Sequence, residues 1–274
     1  MTYDKISEVL MKYLFAILLP WLAYGAEQMR ILPVNPTPEP ATAVLAIALP
    51  RFDEVVKRNP IYLQFRMDGF SLASSSSQFL RSQELAITDM GQTVHVIIDN
   101  NPYFPVNGPA IEPFEESGYY YDTSYKIELP YSLEEGMHII RAFPARSFGE
   151  SLKGETAFQT SVFFVGNRTN TENIDLSKPF LTYNEPSDQF HYEEGRPVLL
   201  DFLISNCELT KDGYKVKLTV DGRFTRMLTS WQPYYIYGLS EGKHTIRLEL
   251  FGQKDVLIPG PFNRVERTIV IHQR

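Results

Sequence analysis

The chain has 274 residues, a formal net charge of −7 and a pI of about 5.3. Because 43% of its residues are hydrophobic and 13% aromatic, it can bury ordinary cores, which excludes an intrinsically disordered protein. The acidic balance and the lack of a lysine or arginine cluster argue against electrostatic binding to nucleic acid, so we expect no nucleic-acid partner.

The N-terminal segment 1–25 has the features of a signal peptide. Lys12 precedes an apolar run, Tyr13–Leu22, and small residues follow at Ala23 and Gly25, which is the −3 and −1 spacing of a signal-peptidase site. The run is shorter than the roughly 20 residues that span a bilayer. We therefore predict export to the periplasm or the extracellular space and no transmembrane span in the mature protein. An uncleaved anchor is the alternative.

Two further features concern the start of the chain and its cysteine content. The first ten residues, MTYDKISEVL, carry Asp4 and Glu8, which are unusual in a basic leader region. The true start is therefore either Met1 or, as we expect, Met11. The single cysteine, Cys207, excludes an intramolecular disulfide, so the stability of the fold must come from its cores.

Residues 26–44 contain the prolines of LPVNPTPEP and are predicted to be an extended spacer. Strands are expected from there on, because period-two alternation of apolar and polar residues is common and helical periodicity is scarce. In residues 45–166 the predicted strands are IYLQFRM, TVHVIID, SYKIEL, MHIIRAF and FQTSVFFV. This half also carries two long insertions, SLASSSSQFLRSQELAITDMGQ and YFPVNGPAIEPFEESGYYYD.

Residues 167–180 are polar and form the predicted linker to a second domain, residues 181–274. The strands predicted there are VLLDFLIS, YKVKLTVDG and GKHTIRLEL, each with one solvent-exposed face, together with PYYIYG and ERTIVIH. EGMHIIR in the first half matches EGKHTIR in the second, about 100 residues later, and VHVIIDN matches VKLTVDG. The chain is therefore predicted to be all-β, with two tandem immunoglobulin-like β-sandwich domains.

The repeat aligns His138 with His244 and Asp99 with Asp221. Each histidine follows a glycine at the start of a strand and shares a face with apolar neighbours. We predict that both make structural hydrogen bonds at a corner of a sandwich, where a tyrosine often has this role. Metal binding or general-base catalysis is the alternative. The two aspartates end their strands, where turn geometry is expected.

The sequence contains no arrangement typical of catalysis. Its carboxylate doublets lie in predicted loops or turns, and GFSLA, at Gly69–Ala73, departs from a nucleophile elbow and lacks the strand and helix that such an elbow needs. No zinc, calcium or phosphate-loop spacing occurs. We predict a protein that is not an enzyme and has no cofactor or metal. The alternative is a hydrolase or hydrolase accessory with its site between the domains, which buried carboxylates in an interdomain cleft would favour.

Two features of the first domain are candidates for binding a partner. One is the loop ARSFGESLKGE, since end loops of sandwiches often carry recognition, although an ordinary hairpin loop is the alternative. The other is a tyrosine run, since exposed aromatics stack on sugars or form protein interfaces. The partner is expected to be an envelope protein or a glycan, and a carbohydrate-binding module is a further alternative. The candidate residues are Tyr119, Tyr120, Tyr121, Arg146, Glu150 and Lys153.

Several segments of the chain are recognisable together: EGMHIIRAFPARSFGESLKGETAFQTSVFFV, LTYNEPSDQF, PVLLDFLISN, VKLTVDG and WQPYYIYGL. Through them most of Ile61–Ile271 resembles an uncharacterised family of exported bacterial proteins. The two most recognisable parts are Arg141–Lys153 and Trp231–Pro233. The resemblance implies export and a tandem β architecture, and it brings no established activity. We therefore predict an exported, non-catalytic binding or structural protein of a bacterial cell envelope.

Overall fold

The computed structural model describes residues 28–57, 60–108, 124–169 and 174–274. The predicted signal peptide lies outside these residues. Within them the chain is almost entirely β-structure, with strands β1–β17, a single turn of α-helix and a short 3-10 turn at Gln253–Asp255. None of the helices in this part of the chain has the length and apolar character needed to cross a membrane. The predicted all-β, immunoglobulin-like fold is confirmed.

Strands β2–β9 form the first sandwich. A three-stranded sheet, β2-β4-β7, faces a five-stranded sheet, β3-β9-β8-β5-β6. In β4 the buried residues Leu63, Phe65 and Met67 alternate with more exposed ones, so that one face of the strand fills the core. The bounds are β2 Val44–Leu49, β3 Glu54–Val56, β4 Tyr62–Asp68, β5 Thr93–Ile98, β6 Phe104–Val106, β7 Ser124–Glu128, β8 Gly136–Ala145 and β9 Gln159–Val165.

Strands β10–β17, together with β1 (Arg30–Pro33), form the second sandwich. Its sheets have the orders β1-β15-β12-β10 and β11-β17-β16-β13-β14. Alternate residues of β16, His244 to Leu250, face a separate core, as their spacing predicts. The bounds are β10 Phe180–Glu185, β11 Tyr192–Glu193, β12 Val198–Ser205, β13 Lys215–Val220, β14 Phe224–Leu228, β15 Tyr234–Tyr237, β16 Gly242–Phe251 and β17 Arg264–His272.

The prediction of a spacer at residues 26–44 is wrong at β1, Arg30–Pro33. This strand precedes the first sandwich in sequence, yet it pairs antiparallel with β15 of the second, with Ile31 opposite Ile236. Ile31 is only 1% exposed and belongs to the second core. The proline that ends β1 is compatible with a strand, because β1 lies at the edge of its sheet and the missing N–H breaks no ladder.

The prediction of one solvent-exposed face is wrong for β12. In β12 Val198, Leu200, Phe202 and Ile204 face the second core, as expected, but Leu199 and Leu203 are buried as well. They contact residues of the first sandwich, because the β8-containing sheet of the first packs against the β12-containing sheet of the second. We call this contact between the sandwiches the joint.

The first insertion, residues 71–92, also belongs to the joint. It contains the helical turn α1, Arg81–Glu84, and is followed by the buried residue Leu85. Leu85 packs with Leu199 and Tyr235 of the second sandwich. The hydroxyl of Tyr235 donates a hydrogen bond to Glu84 Oε2 at 2.7 Å. The insertion therefore fastens one sandwich to the other.

Candidate functional site

The recognisable segment Arg141–Lys153 runs through the joint. It leaves β8, turns at Gly149 and returns, with Ala145 and Ser151 forming an isolated antiparallel bridge. Gly149 has φ +87°, and a Cβ at this position would lie 2.9 Å from Cγ of Glu185 in the second sandwich. A glycine is therefore needed both for the backbone conformation and for the close approach of the two sandwiches.

Arg141 is 1% exposed and reaches from the first sandwich into the second. Its Nη1 donates to the carbonyl of Leu181 and to the hydroxyl of Thr182, each at 3.1 Å. Its Nη2 donates to the carbonyl of Asp99. The guanidinium also lies over the ring of Phe262, 3.9 Å from the centroid. A buried charge of this kind is tolerated because hydrogen bonds and an aromatic face surround it.

Glu150 holds the N-terminal segment and the first insertion together. Its Oε1 accepts a hydrogen bond from the backbone N–H of Thr37 at 2.8 Å, and its Oε2 accepts one from the Thr37 hydroxyl at 2.6 Å. Oε2 also forms an ion pair with Arg81 of α1. These donors occupy both carboxylate oxygens, so Glu150 fixes the path by which residues 34–43 cross from one sandwich to the other.

Arg146 makes a similar set of contacts nearby. Its Nη1 donates to Gln92 Oε1 at 2.8 Å, and its Nη2 donates to the carbonyl of Pro38 at 2.7 Å. The guanidinium lies 4.5 Å from the ring centroid of Phe79. Burial lowers the pKa of Arg146, while the charge of Glu150 opposes this shift.

Lys153 is paired with Asp201, which is completely buried in β12. Lys153 Nζ lies 2.6 Å from Asp201 Oδ1. Asp201 Oδ2 accepts hydrogen bonds from the backbone and the hydroxyl of Ser151, at 3.1 and 2.5 Å, and from Asn184 Nδ2 at 2.7 Å. Because Ser151 and Lys153 belong to the first sandwich, the carboxylate of Asp201 links the two sandwiches directly.

The loop that the sequence predicts to be an exposed partner surface is thus largely buried. Arg146 is 6% and Glu150 3% exposed, and the Lys153 side chain is 10% exposed. The predicted exposure is wrong because residues before β2 and the second sandwich cover the loop. The other predicted partner residues lie outside the described ranges and remain a prediction; they are Tyr119, Tyr120 and Tyr121.

A second polar cluster in the joint surrounds Glu185, which is 1% exposed. Its Oε1 accepts hydrogen bonds from Tyr103 of the first sandwich at 2.5 Å and from the Ser187 hydroxyl at 3.2 Å. Its Oε2 accepts one from Tyr192 at 3.1 Å. Burial raises the pKa of Glu185 to about 8, although these three hydroxyls favour the ionised form.

His95 connects the two clusters. Its Nδ1 lies 2.7 Å from Asn184 Oδ1, and its ring stacks on Tyr103 with centroids 3.7 Å apart. Burial lowers the pKa of His95 to about 4, so the imidazole is neutral at pH 7. Because the Asn184 amide nitrogen donates to Gly149 and Asp201, its oxygen is the acceptor, and His95 carries its proton on Nδ1.

The joint therefore contains the buried carboxylates that would favour an interdomain hydrolase. Their surroundings differ from those of a catalytic pair, however, because protein donors occupy the oxygens of Glu150, Glu185 and Asp201. The space beside Glu185 measures about 10 Å³, which is close to the lower limit for a single water molecule. In this arrangement Asp201 and Glu185 bind the sandwiches to each other, and Glu150 binds the segment that crosses between them.

The corner hydrogen bonds predicted for both histidines are present. In the first sandwich His138 Nδ1 lies 2.8 Å from Asp99 Oδ2, and Nε2 lies 2.9 Å from the carbonyl of Glu134. Since a carboxylate and a carbonyl can only accept, both ring nitrogens donate and the ring is an imidazolium. Burial disfavours this charge, but Asp99 and the Glu134 carbonyl outweigh it and raise the pKa of His138.

The second sandwich repeats the same corner. His244 Nδ1 lies 2.7 Å from Asp221 Oδ2, and Nε2 lies 2.8 Å from the carbonyl of Ser240. Both aspartates have positive φ, 54° for Asp99 and 51° for Asp221, as expected for turn residues. Within the described ranges, no three His, Cys, Asp or Glu side chains are grouped so that they could hold a metal ion.

Sequence reasoning missed the joint residues Asp201, Glu185 and His95. Asp201 interrupts the otherwise apolar strand VLLDFLIS, and such a charge is tolerated inside a sheet only if it is paired. That signal was available in the sequence. His95 offered no comparable signal, because it alternates with Val94 and Val96 as a solvent-facing residue would. Glu185 offered none either, because it stands between Asn184 and Pro186 at the end of its strand, where no alternation of apolar residues surrounds it.

A groove of about 590 Å³ lies between the β5–β6 and β7–β8 connections of the first sandwich, beside the His138 corner. A second cavity of about 250 Å³ extends toward the second sandwich, and both cavities are lined by Pro102 and Tyr103. The larger groove has the volume of a small-ligand site, roughly 300–1,000 Å³. Residues that line the groove include Tyr103, Phe104, Tyr131, Asp99, Asn101 and Glu134.

No protein-family model matches the chain, and no curated protein matches it. The resemblance to a family of exported bacterial proteins therefore remains a prediction. Among solved structures, the fibronectin(III)-like modules of Clostridium thermocellum CbhA are similar with a TM-score of 0.29 and 12% identity, over 84% of this chain and 95% of that chain.

Two further solved structures are similar. One is SGBP-B of the Bacteroides ovatus mixed-linkage glucan utilization locus, in complex with a mixed-linkage heptasaccharide, with a TM-score of 0.19 and 17% identity over 90% of this chain. This chain covers 48% of that protein. The other comprises the two tandem V-type regions of VCBP3, a v-region-containing chitin binding protein, with a TM-score of 0.23 and 9% identity over 84% of this chain and 99% of that one. At such scores the likeness does not extend to a ligand or an activity.

Proposed function

We propose that the protein is an exported, non-catalytic binding or structural module of a bacterial cell envelope, in which the two sandwiches act as one rigid body. The observation that carries this proposal is the joint. Asp201, Glu185 and Glu150 are buried. The oxygens of Asp201 and Glu185 accept hydrogen bonds from the first sandwich, and those of Glu150 accept hydrogen bonds from the N-terminal segment. A polar joint of this kind supports a fixed orientation of the sandwiches.

The proposal of rigidity is tested by differential scanning calorimetry of the mature chain. The two sandwiches are expected to unfold in one cooperative transition, because breaking the joint exposes buried charges in both. Two well-separated transitions, with the second sandwich melting independently, would overturn the rigid-body part of the proposal. Small-angle X-ray scattering offers a second readout, with one compact particle expected at all salt concentrations.

The proposal of export is supported by the apolar run Tyr13–Leu22 and the small residues Ala23 and Gly25. The chain is expressed in a bacterial host with its leader, and the cell fractions are separated. N-terminal sequencing is expected to begin at Ala26 in the periplasmic or secreted fraction. Retention of Met1 or Met11 in the cytoplasmic fraction would contradict export.

The proposal that the protein is not a catalyst is tested with chromogenic esters and glycosides. We expect no turnover above the buffer rate. A hydrolysis rate that both Asp201→Asn and Glu185→Gln remove, while circular dichroism shows an intact fold, would establish the alternative, a hydrolase with its site in the joint. These two substitutions keep the shape of the side chains and remove their titratable carboxyl groups.

A further inference from the structure

We infer that the groove beside the His138 corner binds a neutral saccharide, with its sugar rings against Tyr131 and Phe104. This inference deepens the proposed binding function and rests on it. Four features of the described residues support it: the place where the repeat diverges, the aromatic walls, the charge of the lining and the state of the corner histidine.

The groove lies where the first sandwich departs from the second. In the second, Val220 pairs with Phe224, so residues 221–223 connect β13 and β14. In the first, β5 ends at Ile98 and β6 begins at Phe104, so residues 99–103 form the connection, which is two residues longer. Its last three residues, Asn101, Pro102 and Tyr103, line the groove. The longer connection therefore forms one wall of the groove.

The opposite wall contains Tyr131, which the repeat aligns with Tyr237 of the second sandwich. Tyr237 packs beside Tyr235 of the joint, with ring centroids 6.1 Å apart. Tyr131 instead lines the groove, partly buried against the first core. The same residue type thus supports the joint in one copy and faces a cavity in the other.

The aromatic rings of the groove are held in place. Phe104 and Tyr131 pack edge to face, with centroids 6.1 Å apart and planes at 89°. Both are partly buried against the first core, so their positions are fixed before a ligand arrives. Pro102, Pro130 and Leu133 extend the apolar lining. Rigid aromatic and proline surfaces suit the C–H faces of a sugar ring.

The polar part of the lining carries negative charge. Asp99 and Glu134 contribute carboxylates, and no lysine or arginine is among the described residues that line the groove. The imidazolium of His138 offsets the charge of Asp99, so Glu134 gives the lining its net negative charge, and neither N–H of the ring is available to an anion, because Asp99 and the Glu134 carbonyl accept both. The described lining therefore disfavours phosphates and acidic glycans and presents oxygen acceptors to hydroxyl groups.

The experiment is a glycan microarray of neutral and anionic glycans, probed with the full mature chain, followed by calorimetric titration of the strongest neutral ligand. Binding is expected only on neutral glycans and is expected to persist in 0.5 M NaCl, because an uncharged ligand gains nothing from long-range electrostatics. Tyr131→Ala is expected to weaken binding about tenfold, the effect of losing one ring contact of roughly 1.4 kcal/mol.

Two further variants keep the inference falsifiable if Tyr131→Ala is poorly folded. Ser132→Trp, at an exposed position of the rim, is expected to block the groove and abolish binding without loss of melting temperature. The matched control is Phe52→Ala, which removes an aromatic side chain that is 75% exposed and does not line the groove. It is expected to bind as the parent does.

Three results would overturn the inference: no binding to neutral glycans, binding confined to anionic ones, or binding that Ser132→Trp leaves intact. Capture of a lysine-rich peptide that is lost in 0.5 M NaCl would instead assign the groove to a cationic partner. None of these results contradicts the proposed function, because an exported, non-catalytic protein could bind its partner through another surface. Cytoplasmic retention or hydrolysis would remove the proposed function itself.

Discussion

The two sandwiches share their corners and differ in their connections. Asp99 and His138 in the first repeat the geometry of Asp221 and His244 in the second, with Nδ1 to carboxylate distances of 2.8 and 2.7 Å. In contrast, the first sandwich carries the insertion 71–92 and a longer β5–β6 connection. The repeated part stabilises each sandwich separately, whereas the divergent part acts between them.

This difference shows which role the longer loops of the first sandwich have. A copy that lengthens its loops is expected to gain a recognition surface. The insertion 71–92 does not fit that expectation, because Leu85 and Glu84 contact Leu199 and Tyr235 of the second sandwich. Loop growth in this chain has added attachment between domains. At the groove beside Tyr131, the longer β5–β6 connection also forms one wall of an open cavity.

The largest effect is expected from breaking the joint at Asp201. Asp201→Ala leaves the ammonium group of Lys153 and the amide of Asn184 buried without their acceptor, which costs about 3–5 kcal/mol of unfolding free energy. Urea unfolding measures the change. Asp212→Ala, at an exposed aspartate of the second sandwich, is the matched control and should stay close to the parent. Equal stability of both variants would mean that the contacts of Asp201 in the joint contribute nothing to the free energy of unfolding.

The next largest effect concerns the strand that the second sandwich receives from the N-terminal segment. Ile31→Ala removes a side chain that is 1% exposed in the second core and should cost about 2–5 kcal/mol. Leu32→Ala, at the neighbouring position with 43% exposure, should cost less than about 0.5 kcal/mol. If the two variants unfold at the same denaturant concentration, β1 does not pack as described.

The repeated corners should respond alike. His138→Ala and His244→Ala each remove a ring that bridges an aspartate and a backbone carbonyl, so each should lower the unfolding free energy by about 1–3 kcal/mol. Thermal melts of the two variants measure both losses and show whether the two corners contribute equally. A clear loss in one variant and none in the other would show that only one corner is structural.

The smallest effect is a pH dependence at the first corner. The pKa of His138 is raised in the folded protein, so its protonation stabilises the fold fully below the unfolded pKa of about 6.5. That contribution is lost as the pH rises through the folded pKa. The difference in unfolding free energy between the parent and His138→Gln should therefore shrink from pH 5.5 to pH 8.5. A difference that stays constant or grows would contradict the imidazolium.

Features that depend on a single sandwich could be predicted from the sequence. Strict alternation predicted β4 and β16, and the repeated glycine–histidine pattern predicted both corners. These features depend on local spacing and on the core of a single domain, which a sequence records directly. The turn aspartates Asp99 and Asp221 were predicted for the same reason.

The joint could not be predicted in the same way. Alternation places Arg141 and Asp201 away from the core of their own sandwich, but it cannot tell a face in water from a face against a second domain. Arg146 and Glu150 likewise look like solvated loop residues until the partners Pro38 and Thr37 are brought beside them. Strand β1 was missed because its partner, β15, lies in the other half of the chain.

The pairing of β1 with β15 also sets the order in which the molecule can form. Ile31 is among the first described residues to be synthesised, and its partner Ile236 follows about 200 residues later. Contacts between residues so distant in sequence form slowly, because the chain loses the entropy of closing a long loop before the contact can stabilise it. A nascent chain that stops short of Tyr234 leaves Ile31 with no core to enter. Strand β1 can therefore complete the second sandwich only after β15 has been synthesised.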